Sequence, residues 1–323
     1  MKKSAILSSL SSQGVLIALA LLILFGWLRY DNFLDPFNIT SVLRYNSMFA
    51  LVALGMCFVI MTGGIDLSVG STAALGSVVS AMLSPYGMLI GTLGGVAAGL
   101  CVGLLNGFVI VRLRILPFIA TLAAMLAANG TALLLAHDES VSVSYDGTFV
   151  NLGQGDLFAL PIPAWIAIIA YILGSIVLNF TATGRTVLAV GGNEDASRLM
   201  GLPVDRIKFM VYVLSGGLSG LAGVILASQF GAGQPIEGVG WELFAIASVV
   251  VGGTLLTGGV GSVGATLAGV MLLGLIFNVL NFENGLGWIS LSAYWQSVIR
   301  GLFLLAVVIL QSRLTSKEAS GAT

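Results

Sequence analysis

Charged residues are scarce in this chain of 323 residues. Only 8% are Asp, Glu, Lys or Arg, whereas soluble proteins contain about 25%. Thirteen basic residues nearly balance fourteen acidic ones, so nothing in the charge suggests a nucleic-acid partner. Hydrophobic residues make up 57% of the chain. Little charge together with so much apolar sequence predicts a polytopic membrane protein.

Cysteine and histidine are also few. Cys57 and Cys101 lie inside apolar stretches, where a free cysteine behaves as a small hydrophobic residue. The single histidine, His137, has no cysteine or second histidine close to it in the sequence. The sequence therefore predicts neither a disulfide framework nor a metal site.

Long apolar runs divide the chain into ten candidate membrane crossings. The runs cover residues 14–28, 47–62, 66–84, 88–111, 116–135, 161–180, 207–229, 242–258, 262–281 and 296–311. Several are shorter than the roughly 20 residues that a helix needs to cross hydrocarbon, so we expect some broken or re-entrant spans. The prediction is an all-α helix bundle with about ten transmembrane helices in one domain, residues 1–323.

The distribution of basic residues predicts the orientation. With Lys2 and Lys3 in the cytoplasm, Arg29 and Arg44 are the only basic loop residues that fall on the outer side. The cytoplasmic side then holds Arg112, Arg114, Arg185, Arg198, Arg206, Lys208, Arg313 and Lys317. The positive-inside rule therefore places both termini in the cytoplasm, and the longest outer loop, about residues 137–160, in the periplasm.

Asp66 stands out because it lies in the run Gly-Gly-Ile-Asp-Leu-Ser-Val-Gly at residues 63–70, between uncharged apolar segments. An acid in such a setting is a candidate functional residue. The alternative is an N-cap, since a carboxylate is stabilised by the free N–H groups at a helix start. The topology places this turn toward the cytoplasmic side, which favours a cap for the third helix at an inner constriction.

The fourth run has a stripe of small residues. Glycine recurs at every fourth position, at Gly91, Gly95, Gly99, Gly103 and Gly107. In a membrane such a stripe lets two helix backbones approach closely. We therefore expect this helix to pack tightly against a neighbour, rather than to line a path for substrate.

The only substantial cytoplasmic loop, about residues 185–208, has the pattern of a short capped helix. Asn193 can cap it, Glu194 and Asp195 suit its first turn, Arg198 lies toward its end, and Gly201 can stop it. The basic residues alone could serve only to set the topology. The complete set of helix start and stop signals instead favours a surface on which another protein docks.

Four segments together resemble a known family. These are residues 55–71, Pro117-Phe-Ile-Ala-Thr-Leu122, Gly191-Gly-Asn193 with Gly201, and residues 242–259. Their order and spacing are similar to those of the permease subunits of bacterial ribose-type sugar ABC importers. The run 238–261 and Asn281-Phe282 most resemble the galactofuranose-type branch, in which two different permease chains can pair.

The resemblance implies an ABC importer permease in the bacterial inner membrane, with no catalytic residues and no cofactor of its own. ATP and Mg²⁺ would belong to a cytoplasmic ATP-binding subunit. The other implied partners are a second permease chain, identical or different, a periplasmic sugar-binding protein and membrane lipid. By position, the implied contact with the ATPase consists of Asn193, Glu194, Asp195, Ala196, Ser197, Arg198 and Gly201.

A neutral sugar needs hydrogen-bond partners and a smooth wall rather than a countercharge. Candidate path or gate residues are Asp66, Asn106, Phe118, Asn129, Gln234, Glu242, Phe244 and Asn278. Packing or capping is the alternative for each. The family usually has Asp where this chain has Phe244, a departure that would alter selectivity or mark a chain specialised for heterodimers.

Two other functions fit parts of the sequence. Related permeases carry nucleosides or branched-chain amino acids, and the chemistry of the residues does not separate them from sugar permeases. An ion-coupled secondary transporter would use Asp66 and Glu242 as coupling carboxylates at broken helices. The four matching segments favour the ABC importer over this last alternative.

Overall fold

The computed structural model describes the backbone of residues 2–285, side chains from residue 14 to residue 284, and residues 295, 298, 299, 301, 302 and 305. Its helices are α1 (Lys2–Arg29), α2 (Pro36–Met61), α3 (Val69–Leu83), α4 (Met88–Arg112), α5 (Pro117–Ala136), α6 (Asn151–Gln154), α7 (Ile162–Phe180), α8 (Ala182–Gly192), α9 (Glu194–Leu199), α10 (Val204–Phe230), α11 (Trp241–Val251) and α12 (Val263–Gly285). Four two-residue strands are β1 (Val141–Ser142), β2 (Asp156–Leu157), β3 (Leu160–Pro161) and β4 (Ala232–Gly233).

Within the described residues, six helices are long and apolar enough to cross a membrane: α2, α4, α5, α7, α10 and α12. The apolar part of α1, Gly14–Arg29, and α11 are shorter, and α3 has only 15 residues. The prediction of an all-helical, polytopic membrane protein is confirmed. The count of ten crossings and the cytoplasmic termini stay predictions, since most of the run 296–311 lies outside the described residues.

The helix α2 begins eleven residues before the apolar run at 47–62 that predicted it. Asp35 caps it by accepting a 2.8 Å hydrogen bond from the Phe37 N–H, and Pro36 occupies the first turn. Polar residues interrupt the apolar pattern here, but they have partners in the fold. For example, Arg44 donates a 2.7 Å hydrogen bond to Asp156.

The C-terminal part of α2 lies at the centre of the described bundle. Every residue from Asn46 to Met61 is buried. The helices α7, α10, α11 and α12 surround it, and the Tyr171 hydroxyl of α7 donates a 3.0 Å hydrogen bond to the Ala50 carbonyl. A helix that is apolar on all sides is stable only when other helices enclose it in this way.

The glycine stripe of α4 packs against α10, which runs antiparallel to it and has small residues of its own. A β-carbon built on Gly99 would lie 2.7 Å from Cα of Gly220, and one on Gly103 would lie 2.9 Å from Cα of Val213. Side chains at these positions would separate the two backbones. At the other end of the stripe, Gly95 also faces Ser80 of α3, so α3, α4 and α10 form one closely packed group.

The segment between α5 and α7, the predicted outer loop, is ordered against the end of α10. Its strand β1 pairs with β4, with Val141 opposite Gly233. Ser228 of α10 donates a 2.7 Å hydrogen bond to the Phe149 carbonyl and accepts a 2.6 Å bond from the Gly153 N–H. This segment therefore covers the end of α10.

Candidate functional site

Asp66 lies in a buried polar network at the turn between α2 and α3. The residue is only 1% exposed. Oδ1 accepts hydrogen bonds from the Ser68 N–H at 3.0 Å and the Ser68 hydroxyl at 2.6 Å, and Oδ2 accepts one from the Ser215 hydroxyl at 2.8 Å. Asn106 of α4 donates a 2.9 Å bond to the Ser68 Oγ. The network joins α4 and α10 to the turn.

The prediction that Asp66 is the N-cap of the third helix is wrong by two residues. The helix begins at Val69, and Ser68 is its N-cap residue. Asp66 instead orders the turn before the helix, because its carboxylate binds the Ser68 backbone and side chain. The second carboxylate oxygen, Oδ2, is bound by Ser215 of α10, a contact that the sequence does not reveal.

The turn that contains Asp66 meets two other glycine-rich turns. We define this glycine junction as Gly63, Gly191, Gly192, Gly258 and Gly259. The Gly259 N–H donates a 3.0 Å hydrogen bond to the Met61 carbonyl at the end of α2. Gly63, Gly258 and Gly259 have φ angles of 80°, 85° and 78°, which favour glycine. Gly191 at the end of α8 packs against the Met61 carbonyl and the Gly259 nitrogen, so the end of α8 contacts both the α2–α3 turn and the α11–α12 turn.

Immediately after this junction comes the predicted capped helix, α9, and its existence is confirmed. Asn193 caps it by accepting a 2.8 Å hydrogen bond from the Ala196 N–H. Gly201, with a φ of 76°, lies just past its end. Its capping signals are local in sequence, which is why they could be recognised without tertiary contacts.

A chain of ion pairs fastens α9 to the start of α10. Glu194 pairs with Arg198 at 3.0 Å and with Lys208, and Arg198 also pairs with Asp205. Partial burial opposes ionisation of Glu194, but Lys208 and Arg198 together outweigh it and hold the pKa of its carboxyl below the usual value. Hydrogen bonds from Arg198 to Asp205 and Glu194 in turn raise the pKa of the Arg198 guanidinium.

The exposed face of this segment combines charge with apolar side chains. Asp195 is exposed, Ala196 is half-buried and Ser197 is buried. Leu199 and Met200, which the sequence interpretation did not single out, are 89% and 68% exposed. A cleft of about 470 Å³ lies beside it, between α9 and the α4–α5 connection, and both Asp195 and Lys208 line it. The segment is an ordered surface with a charged cleft at its side.

A larger cleft of about 900 Å³ lies at the opposite end of α2 from the glycine junction. We call it the outer cleft, after the predicted topology, which places this end of α2 on the outer side. Aromatic and amide side chains line much of it: Tyr45, Phe49, Phe244 and Phe277 with Asn46, Gln154, Gln229, Asn278 and Asn281. The predicted path residues Phe244 and Asn278 are among them. Asn46, Gln154 and Gln229 were missed. For Asn46 and Gln229 an amide at the edge of an apolar run was a visible signal, whereas Gln154 lies in the predicted outer loop.

The other predicted path residues lie elsewhere. Phe118 is 54% exposed at the start of α5, and Asn129 is half-buried farther along that helix. Gln234 follows β4, where its N–H donates a 3.0 Å hydrogen bond to the Ser77 hydroxyl. Glu242 is a half-buried residue in the first turn of α11. The eight candidates therefore do not form one site, and only two of them share the outer cleft.

An all-helical membrane protein with a polar and aromatic cleft at one end, and an ordered charged segment at the other, has the features of a membrane permease. A family described as the branched-chain amino acid transport system permease component matches residues 38–308. The chain belongs to this family. Its family and its apolar helices identify a multi-pass protein of the bacterial inner membrane.

Several relatives match nearly the whole chain. The L-arabinose transport system permease protein AraH of Escherichia coli is 39% identical over 298 residues, which are 92% of this chain and 89% of that protein. The ribose import permease protein RbsC is 36% identical in Haemophilus influenzae, over 96% of this chain and 95% of the relative. RbsC of Bacillus subtilis is 38% identical, over 93% and 92%. No solved structure matches the chain.

Proposed function

We propose that this chain is the transmembrane permease subunit of an ATP-driven importer for a monosaccharide. The observation that supports it is the similarity to arabinose and ribose permeases over more than nine-tenths of the chain. A pentose is the first candidate substrate, and galactofuranose stays a prediction from the sequence resemblance alone. The amide and aromatic lining of the outer cleft fits a neutral, hydroxyl-rich substrate.

The proposal includes the partners that such a subunit needs. A cytoplasmic ATP-binding subunit, holding ATP and Mg²⁺, contacts residues 193–201, and this chain itself hydrolyses no ATP. A second permease chain completes the translocation path, and a periplasmic sugar-binding protein delivers the substrate. In support, α9 presents exposed apolar and charged side chains beyond the membrane helices.

The glycine junction suggests how ATP binding changes the path. Closure of the ATP-binding subunits moves α9, and α8 precedes it directly in the chain. Because Gly191 at the end of α8 packs against the turns after α2 and after α11, this motion reaches both turns together. Rearrangement of these turns then alternates the opening between the two sides of the membrane.

Transport in a defined system tests the proposal. The permease is assembled with its ATP-binding subunit and binding protein in proteoliposomes, and uptake of radiolabelled D-ribose, L-arabinose and D-galactose is measured. We expect uptake of at least one sugar that requires both ATP and the binding protein. Uptake by this chain alone, driven by a proton or sodium gradient, would contradict the proposal.

The family description favours a second candidate, import of branched-chain amino acids. L-leucine is therefore included in the same assay, together with a nucleoside. ATP-dependent uptake of leucine without uptake of any sugar would replace the first proposal with the second.

A further inference from the structure

We infer that the outer cleft is a sugar-contact site on the permease itself, where the aromatic wall packs against the sugar ring and the Gln229 and Arg44 side chains bind its hydroxyls. This inference rests on the proposed function and adds to it the place where substrate touches this chain.

The aromatic wall is continuous. The Phe49 and Phe244 ring centroids lie 4.4 Å apart, Tyr45 lies 5.4 Å from Phe49, and Phe277 lies 5.9 Å from Phe244. Tyr45 is 39% exposed and presents its ring to the cleft, whereas Phe49 and Phe244 are buried and support it from behind. An exposed ring of this kind offers apolar area to the C–H face of a sugar without a directional bond. It therefore suits a substrate that must be held briefly and released.

Two polar atoms at the cleft have hydrogen-bonding capacity left over. Gln229 Oε1 and Arg44 Nε are buried and have no hydrogen-bond partner among the described residues. A buried polar atom without a partner is unfavourable, so a ligand that satisfies it gains affinity. One atom accepts and the other donates, and a sugar hydroxyl can do both. Both residues line the cleft.

The charge of the cleft also fits a neutral ligand. The charged residues that line it are Arg44 and Asp156, and they neutralise each other through a 2.7 Å ion pair. The remaining polar lining is mainly amides and hydroxyls. A substrate with a net charge would have to leave water without receiving a countercharge, which is costly. The cleft therefore favours a sugar over an anion or a cation.

Size and position agree with this assignment. The volume of about 900 Å³ lies within the range of small-molecule pockets and holds a monosaccharide with some of its water. The wall residue Phe49 belongs to α2, the same helix that ends at the glycine junction. Ligand in the cleft and motion at the junction thus act on one buried helix.

Two substitutions test the site in the assembled importer. Ser41 is exposed and lines the cleft, so Ser41→Trp fills it from a surface position that the fold tolerates. Gln229→Leu removes the amide and keeps the approximate size. With saturating sugar-loaded binding protein, we expect Ser41→Trp to slow D-ribose or L-arabinose uptake about tenfold. Gln229→Leu should slow it about threefold to tenfold, as for one lost hydrogen bond. The matched control Thr131→Trp, at an exposed position on α5, should transport normally.

A second measurement detects the sugar directly. Ser41→Cys is introduced together with Cys101→Ala, which removes the exposed native cysteine, while Cys57 is buried. We expect free D-ribose or L-arabinose, without binding protein, to slow maleimide labelling at position 41, and L-leucine to leave the labelling rate unchanged. Normal transport by both cleft variants, without sugar protection, overturns the inference. Loss of binding-protein association in Ser41→Trp without sugar protection also overturns it, because the cleft is then a protein-docking surface.

These outcomes separate the inference from the proposed function. If the wild-type importer transports sugar while the cleft variants match it, only the cleft assignment fails. If the wild-type importer transports leucine and no sugar, the proposed function fails first.

Discussion

The Ser215 hydroxyl of α10 donates a 2.8 Å hydrogen bond to Oδ2 of Asp66, in the turn that separates α2 from α3. The two residues are 149 positions apart in the sequence. Both are fully buried, and Asn106 of α4 joins the same network through Ser68. Because a buried carboxylate is tolerated only when it is hydrogen-bonded, these contacts explain how an acid persists in this apolar region.

The Asp66 network should stabilise the fold. Asp66→Ala leaves buried Ser68 and Ser215 donors without an acceptor, at about 1–3 kcal/mol for each group. We expect a clearly lower midpoint of thermal unfolding for the detergent-purified protein, and a smaller decrease for Ser215→Ala. The exposed substitution Thr131→Ala serves as the control. If Asp66→Ala unfolds like the wild type but transports no sugar, a role for Asp66 in the path replaces the packing role.

The glycine stripe should be intolerant of even a methyl group. Gly99→Ala places a β-carbon 2.7 Å from Cα of Gly220, so α4 and α10 must separate. Overpacking of this kind costs about 1–3 kcal/mol. Gly130→Ala in α5 is a matched control, since its β-carbon meets no atom within 4 Å. Thermal unfolding should show a lower midpoint for Gly99→Ala only, and equal midpoints would contradict the close packing.

Two adjacent glycines of the glycine junction, Gly191 and Gly192, allow its role in coupling to be tested. A β-carbon on Gly191 collides with the Met61 carbonyl, whereas one on Gly192 meets nothing within 4 Å. We expect Gly191→Ala to lower sugar uptake severalfold while the assembled complex still hydrolyses ATP, and Gly192→Ala to behave like the wild type. The ratio of sugar imported to ATP hydrolysed is the measurement. An unchanged ratio in Gly191→Ala would show that the junction does not couple the two processes.

Charge changes on the α9 surface should weaken docking of the ATP-binding subunit and thereby lower transport. Asp195→Lys reverses an exposed charge, and Leu199→Asp places a charge on a side chain that is 89% exposed. Neither change disturbs the buried core, so the permease should still fold. We expect weaker association with the ATP-binding subunit in a pull-down assay and uptake lowered about tenfold. Asp146→Lys, an exposed change in the loop after α5, is the control. Normal association and transport would show that the docking surface lies elsewhere.

The order of α9 should depend on pH through Glu194. Its folded-state pKa lies below the usual value because of Lys208 and Arg198. The ion pairs therefore stabilise the segment above the unfolded-state pKa, and this stabilisation is lost as the pH falls through the folded-state pKa. Hydrogen exchange of residues 194–201, corrected for intrinsic rates, should increase on acidification. Glu194→Gln should exchange faster at neutral pH and show a weaker pH dependence; identical profiles would exclude this role.

Sequence patterns predicted those features that depend on neighbouring residues. Apolar runs predicted most membrane helices because hydrocarbon requires about 20 consecutive apolar residues. Asn193, with the acids that follow it, predicted α9 because a cap acts within one helical turn. The polar start of α2 was missed, since Asn38 and Arg44 are accommodated by Asn278 and Asp156, which are distant in the sequence.

The chain by itself therefore determined that it forms a membrane helix bundle with a capped helix outside the membrane helices. Only the tertiary structure decided which of the candidate residues lie together. Phe244 and Asn278 lie together with Gln229 at the outer cleft, whereas Asp66 and Asn106 meet Ser215 in a packing network. The physical reason is that burial and pairing of a polar group depend on residues that folding brings from elsewhere in the chain.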